Sequence, residues 1–84
     1  MTTPAPDIIV DARGHRCPTP TLRLRRAAEA AFAGAHLQLL TTDPLARIDV
    51  PHFAAQAGLV LVLTRTEGEV TTFLIRKPLP DAAT

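Results

Sequence analysis

The chain is poor in aromatic residues and in cysteine. Its 84 residues include no Trp, no Tyr and three Phe, so it lacks the aromatic side chains on which most single-strand nucleic-acid binders stack bases. It has one cysteine, Cys17, and one cysteine cannot form an intramolecular disulfide, a C-x-x-C redox pair or a thiolate zinc site. Any thiol chemistry of this chain must therefore take place at Cys17.

Long hydrophobic runs are also missing. No apolar stretch approaches the roughly 18 residues of a membrane span, and the N-terminus has no basic segment followed by an apolar one. Together with the unpaired cysteine, this predicts a cytoplasmic protein with no membrane partner. The length suits one small domain, which we expect over residues 7–77, between a flexible leader (1–6) and a flexible tail (78–84).

The basic charge is concentrated in one segment. The formal net charge is +1, but residues 13–26 contain no acid and carry +5, while the rest of the chain carries −4. A nonspecific DNA binder is more often basic throughout, so this pattern favours a local contact with an anion or an acidic partner. The segment includes Cys17, and its basic side chains are those of Arg13, Arg16, Arg23, Arg25 and Arg26.

The first half of the domain has the pattern of a strand followed by a helix. Residues 7–11 are a β-branched run typical of a strand, which Arg13-Gly14 ends. Residues 18–33 predict a helix, since prolines are tolerated in a first turn and Gly34 is typical just after a helix end. Its apolar stripe, at helical spacing, consists of Leu24, Ala27, Ala28, Ala31 and Phe32.

The next elements are a strand and an interrupted helix. Residues 36–42 alternate in part and predict a strand that ends at Asp43-Pro44. Asp43 and Asp49 are interpreted first as helix caps, and Pro51 as a helix start, because the residue before a proline avoids the α region. The second helix is therefore predicted to be broken, with pieces over 45–48 and 51–57 closed by Gly58.

The last elements are two strands joined by a hairpin. The apolar run 59–64 predicts a buried central strand, and Glu67-Gly68 predicts a turn into a final strand over 70–76. The order β-α-β-α-β-β predicts an α+β fold. We expect a two-layer α/β sandwich in which a mixed four-stranded sheet carries both helices on one face.

The surroundings of Cys17 favour a reactive sulfur. A cysteine just before a helix lies near the positive end of the macrodipole and near unpaired N–H groups, which favour an anion. Arg13 and Arg16 add positive charge, and Pro18 and Pro20 stiffen the turn, so the thiolate or persulfide anion is stabilised. The alternative is that Cys17 is a small buried hydrophobic residue without chemistry.

Other chemistry-bearing residues form no constellation. His15 could act as a base, but a loop histidine without a role is the competing interpretation, and His36 and His52 show no ligand spacing with it. No metal and no cofactor is predicted. Arg23, Arg25 and Arg26 fit a solvated helix face and a docking face equally well.

Three segments together carry a family resemblance. Residues 11–20 (DARGHRCPTP) contain C-P-x-P after a D-x-x-G-x-x stretch, residues 43–53 are similar to D-P-x-x-x-x-D-I-P-x-F, and residues 73–77 (FLIRK) are similar to f-x-I-x-K. In this order and spacing they resemble the TusA/SirA-like sulfur-carrier family. The sequence departs from its usual pattern at Val10 (usually Leu), His15 (commonly apolar) and Thr19 (often an acid).

The resemblance implies the same β-α-β-α-β-β sandwich and a sulfur-carrier function. Cys17 would accept a sulfane sulfur as a persulfide from a cysteine desulfurase or a rhodanese-like donor and pass it to an acceptor protein. Family members serve tRNA thiolation, molybdenum-cofactor assembly or sulfur oxidation. Such a protein is a sulfurtransferase-type carrier rather than a stand-alone enzyme, and direct nucleic-acid binding is not expected of it.

Two other functions stay open at the level of the sequence. The arginine-rich face of the first helix could make the chain a small regulatory or RNA- or DNA-binding module, by analogy with other small α+β domains. Cys17 could also be a redox sensor that is oxidised to sulfenic acid, although this chain holds no second thiol to resolve it.

Overall fold

The predicted element order is confirmed. The structure, a computed structural model, describes residues 5–15 and 19–79. Its elements are β1 (Ile8–Ala12), α1 (Thr19–Ala30), β2 (His36–Thr41), α2 (Ala46–Ala57), β3 (Val60–Glu67) and β4 (Val70–Arg76). Residues 1–4 and 80–84, where the sequence predicts most of a leader and a tail, lie outside the described residues, and so does the predicted helix start at Pro18.

The four strands form one mixed sheet in the order β1-β2-β4-β3. β1 and β2 are parallel, and both β2 and β3 pair with β4 in antiparallel fashion. In the parallel pair Ala12 aligns with Thr41, so both strands end at the same edge of the sheet. The segments that follow them, 13–15 and the residues from Thr42 onward, are therefore neighbours.

The core lies on one face of the sheet, beneath both helices, as predicted. Every second residue of β2 is buried, because side chains alternate between the two faces of a strand. One buried cluster joins β1, β2 and β4 to the two helices. Its larger members are Val10, Leu24, Leu37, Leu39, Val50, Phe73 and Ile75.

The apolar stripe of α1 is confirmed at four of its five positions. Leu24, Ala28 and Ala31 are buried and Ala27 packs against the core cluster. Phe32 is 62% exposed, so its assignment to the stripe was wrong. The helix ends at Ala30 rather than near residue 33, and a residue beyond the last turn no longer follows the helical period.

The predicted break in the second helix is wrong. α2 runs without interruption over Ala46–Ala57 with Pro51 inside it. A proline in a helix removes one hydrogen bond and costs about 3 kcal/mol, but the continuous helix keeps Ala46, Val50 and Ala54 buried on one stripe. Gly58 closes the helix as predicted, with a left-handed φ of 74° and its N–H directed at the carbonyls of the last turn.

The two helix caps predicted near α2 differ in outcome. Asp43 Oδ1 accepts the N–H of Leu45 at 3.0 Å, so Asp43 caps the turn that leads into α2, as predicted. Asp49 does not cap a helix, because α2 begins earlier and places it within the first turn. An acid there still faces the positive end of the helix dipole.

β3 is an edge strand, and the predicted buried central strand was wrong. Only Leu59 and Leu61 from this run pack against the core, whereas Val60, Val62 and Leu63 are 38–42% exposed. The register with β4 shifts between Leu61 and Leu63, which marks a β-bulge. Bulges and charged residues such as Arg65 and Glu67 are common devices that protect an edge strand from further pairing.

Candidate functional site

The predicted sulfur site lies between two elements that the structure describes. Arg16, Cys17 and Pro18 are outside the described residues. The chain reaches them from the segment 13–15, after β1, and leaves them into α1, which begins at Thr19.

The segment before Cys17 is held at every backbone N–H group. Gly14 has a left-handed φ of 83°, a conformation that glycine adopts without strain. The three N–H groups of the segment each donate a hydrogen bond: Arg13 to Asp11 Oδ1 (3.1 Å), Gly14 to Thr42 Oγ1 (2.9 Å) and His15 to the Ala12 carbonyl (3.2 Å). The backbone is thus fixed up to two residues before Cys17.

Arg13 pairs with Asp11, which lies near the end of β1. Its Nε and Nη2 donate to the two carboxylate oxygens of Asp11 at 2.9 and 2.8 Å. The hydrogen bonds from the Arg13 side chain, helped by its backbone N–H, lower the pKa of Asp11 to about 2. The same bonds raise the pKa of Arg13. The charge of Arg13 is therefore balanced within the segment.

Arg23 connects α1 to this segment. Its Nη1 donates to the Asp11 carbonyl oxygen at 3.2 Å and lies 3.2 Å from His15 Nε2. From the sequence, Arg23 fits a solvated helix face and a docking face equally well. In the structure its side chain contacts Asp11 and His15 instead. Asp11 consequently joins both arginines, Arg13 through its carboxylate and Arg23 through its carbonyl.

The other two arginines of α1 lie on different sides of the helix. The Arg25 guanidinium is 5.5 Å from the centre of the Phe53 ring of α2, which is a cation–π distance. Arg26 lines a hollow with Arg23 beside the edge strand β1, and within residues 5–15 and 19–79 no acid forms an ion pair with it. The three arginines do not form one continuous basic face.

The start of α1 suits an anion. Its first turn contains no acid, so no carboxylate of that turn offsets the positive end of the helix dipole. Pro20 lies in that turn and is less than 2% exposed. A buried proline there fixes the direction of the chain, and its missing N–H removes no intrahelical bond.

In the described ranges, no three side chains among His, Cys, Asp and Glu come close enough together to hold a metal ion. Neither helix of the described chain is both long and apolar enough to cross a bilayer.

Sequence reasoning missed the contacts of two residues, one beside the segment 13–15 and one at the opposite end of α1. The sequence predicts only that Thr42 ends a strand, yet its hydroxyl accepts the N–H of Gly14. In the sequence Lys77 belongs only to the F-L-I-R-K motif, yet its ammonium binds the C-terminal end of α1. The parallel pairing of β1 and β2 would have indicated the contact of Thr42, because it brings the residues that follow the two strands together.

Comparisons with known proteins agree on one family. The family model described as "Sulfurtransferase TusA" matches residues 8–77. A sulfur carrier protein TusA of Pseudomonas putida is 36% identical over 77 residues, covering 92% of this chain and 96% of the relative. The sulfur carrier protein TusA of Allochromatium vinosum is 38% identical over 68 residues, covering 81% and 90%.

A solved structure has the same fold. The crystal structure of a SirA-like protein from Desulfitobacterium hafniense matches with a TM-score of 0.73 and 26% identity, over 84% of this chain and 97% of that one. The family model spans all six elements and both flanks of Cys17. On these grounds the chain belongs to the TusA family.

Proposed function

We propose that this protein is a sulfur carrier that accepts a sulfane sulfur as a persulfide on Cys17 and relays it to an acceptor protein. The observation that carries the proposal is the family match over residues 8–77, which includes the chain's single cysteine. The relatives are themselves named sulfur carrier proteins. We place the relay in the cytoplasm.

The transfer requires no external oxidant. The Cys17 thiolate attacks the terminal sulfur of a donor persulfide, held by a cysteine desulfurase or a rhodanese-like protein. A new S–S bond forms, the donor S–S bond breaks, and the donor leaves as a thiolate. In the second step a thiolate of the acceptor attacks the terminal sulfur, a new S–S bond forms, and Cys17 leaves as a thiolate. Each step begins and ends with one anionic sulfur.

The flanks of Cys17 support an anion by different means. The N-terminal end of α1 supplies the positive end of a helix dipole, and Arg16 adds a full charge. Arg13, which pairs with Asp11, acts mainly by holding the segment 13–15. Pro18 and Pro20 preorganise the turn, and Pro20 does so from a buried position.

The partner proteins would dock on the surface around Cys17 rather than insert a substrate into a deep pocket. We propose a desulfurase or rhodanese-like donor and an acceptor that serves tRNA thiolation, molybdenum-cofactor assembly or sulfur oxidation. A nucleic-acid module is the competing function. It needs a basic surface, and the divergent contacts of Arg23 and Arg25 do not favour it.

Mass spectrometry tests the proposal. After incubation with a cysteine desulfurase and cysteine, or with a rhodanese and thiosulfate, the protein should gain the mass of one sulfur atom, which dithiothreitol removes. Cys17→Ser should gain none, and Arg65→Gln, on the distant strand β3, should gain as much as the wild type. A wild type that stays unmodified with both kinds of donor overturns the proposal. An adduct that survives in Cys17→Ser does the same.

A further inference from the structure

The outer edge of strand β1 is open to a further strand. In the sheet order β1-β2-β4-β3, β1 has one neighbour, and no other strand of the described chain covers its second edge. Such an edge presents backbone N–H and C=O groups that another strand can pair with. Unlike β3, β1 keeps a continuous register with its neighbour, and the side chain of Ile9 is 61% exposed.

Two arginines of α1 lie beside this edge. Arg23 and Arg26 line the hollow next to β1, and Arg23 Nη1 donates to the Asp11 carbonyl oxygen at 3.2 Å, so this guanidinium lies against the backbone of β1. The carboxylate of Asp11 is held by Arg13. Among the described residues no acid forms an ion pair with Arg23 or Arg26. The hollow therefore carries two positive charges that no ion pair within the described chain balances.

We propose that the edge of β1 and this hollow bind an extended acidic segment of a partner protein, which adds a strand to the sheet and places carboxylates against Arg23 and Arg26. Strand addition is a common mode of peptide recognition, in which backbone hydrogen bonds supply affinity and alternate side chains supply specificity. The proposal depends neither on the sulfur-carrier function nor on the position of Cys17.

The two faces of β1 determine which side chains the segment carries. Val10 is buried beneath the helices and Ile9 is exposed, because side chains alternate between the faces of a strand. In a strand added beside β1, one set of side chains therefore meets the arginines and the other lies beside Ile9. Arg23 and Arg26 lie about 4.5 Å apart along the helix, and alternate strand residues lie about 7 Å apart, a difference that the long arginine side chains span. The segment should alternate acidic with apolar residues.

A peptide fits this surface better than a nucleic acid does. The edge of β1 offers backbone groups at strand spacing, which another peptide backbone satisfies. The described residues that line the hollow include no aromatic side chain on which a base could stack. Ile9 adds an exposed apolar contact beside the edge, and a phosphate backbone gains nothing from it.

NMR titration with a synthetic peptide tests the surface. The probe is an eight-residue peptide that alternates Glu with Val, added to the ¹⁵N-labelled full chain. We expect the largest amide shifts in β1 and at Arg23 and Arg26, and slower hydrogen exchange of β1 amides. A peptide with Lys in place of Glu should not bind. The proposal is overturned if millimolar Glu-Val peptide leaves the β1 amides unshifted.

Two N-methylated peptides separate strand pairing from attraction between charges. One is methylated at the backbone nitrogen of every Glu and the other at that of every Val. Because alternate N–H groups of a strand point to opposite edges, one of the two peptides should lose binding and the other should keep it. If both bind as well as the parent peptide, no strand is added and the proposal fails.

Arginine variants test the contribution of charge. Arg23→Gln and Arg26→Gln should each weaken peptide binding about threefold, the effect of one exposed ion pair. Arg25→Gln is the matched control, because it removes the same charge from the same helix but its guanidinium lies over Phe53. All three arginines are exposed, so circular dichroism should show unchanged folding. Equal weakening by Arg25→Gln would refute the proposal, since net charge would then explain the binding. A uridine decanucleotide that shifts the same amides at lower concentration than the peptide would also refute it, because the surface would then bind nucleic acid.

Discussion

Lys77 should stabilise the fold by binding the C-terminal end of α1 from a distant part of the chain. Its Nζ donates to the carbonyl oxygens of Ala28 at 2.8 Å and Ala31 at 2.9 Å. The last turn of α1 contains no basic residue of its own, and carbonyls at a helix end lack intrahelical partners and carry the negative end of the dipole. Lys77 therefore supplies a cation that the helix itself lacks.

The substitution Lys77→Met keeps the aliphatic stem and removes the two hydrogen bonds. A hydrogen bond to a charged group contributes about 1.5–3 kcal/mol, but the Ala28 carbonyl also accepts the N–H of Ala31 at 3.3 Å, so the two losses do not add in full. We expect a decrease of about 2 kcal/mol in the free energy of unfolding. For a domain of this size that corresponds to a drop in Tm of about 10 °C.

Urea unfolding followed by circular dichroism measures this loss, and Arg76→Met is the matched control. Arg76 is the preceding residue, and among the described residues it forms no ion pair. The backbone bonds of Lys77 with Gly34 and Ala35 remain in Lys77→Met. The reasoning is refuted if Lys77→Met changes the free energy of unfolding no more than Arg76→Met does.

Two further predictions concern the loop before Cys17 and the end of α2. The pKa of Asp11 is lowered from 3.8 to about 2. Its carboxylate therefore stabilises the folded state above pH 3.8, and this contribution disappears as the pH falls through 2. Asp11→Asn should flatten the pH dependence of the urea midpoint in that range, whereas Glu69→Gln, in the exposed hairpin, should not. Gly58→Ala places a Cβ in open space but at a φ of 74°, so we expect a loss of about 1 kcal/mol from backbone strain, with a smaller loss for Gly58→Asn, measured as a shift in Tm.

Most of the fold could be predicted because local patterns agreed with it. The β-branched run of β1, the apolar stripe of α1 and the turn at Glu67-Gly68 each predict one element, and each element forms. The errors arose where position in the sheet decides burial. The apolar run after Gly58 has the composition of an internal strand, yet the order β1-β2-β4-β3 puts it at an edge. The composition of a strand does not reveal its position in the sheet.

The broken helix was predicted from a local rule that packing overrides. Pro51 disfavours the helix by its own geometry, and the rule about the residue before a proline considers only the backbone conformation of that residue and not its packing. Val50, the residue before it, is fully buried, so the continuous helix gains the burial of an apolar side chain, about 1.5–3 kcal/mol, against the penalty of the proline. Ala46 and Ala54 add to the same stripe. Whether this burial outweighs the penalty of the proline depends on the packing partners of α2, which the local sequence does not specify.

The charge pattern shows why the site was only partly predictable. Residues 13–26 carry +5 in sequence, which suggests one basic surface around the sulfur. In the fold, Arg13 is neutralised by Asp11, Arg25 lies over Phe53, and Arg23 turns back to the loop. The described arginines therefore form a weaker common basic surface than their number in the sequence suggests. Arginines with such contacts should act through geometry, so neutralising Arg13 should loosen the segment 13–15 because it removes both side-chain hydrogen bonds to Asp11.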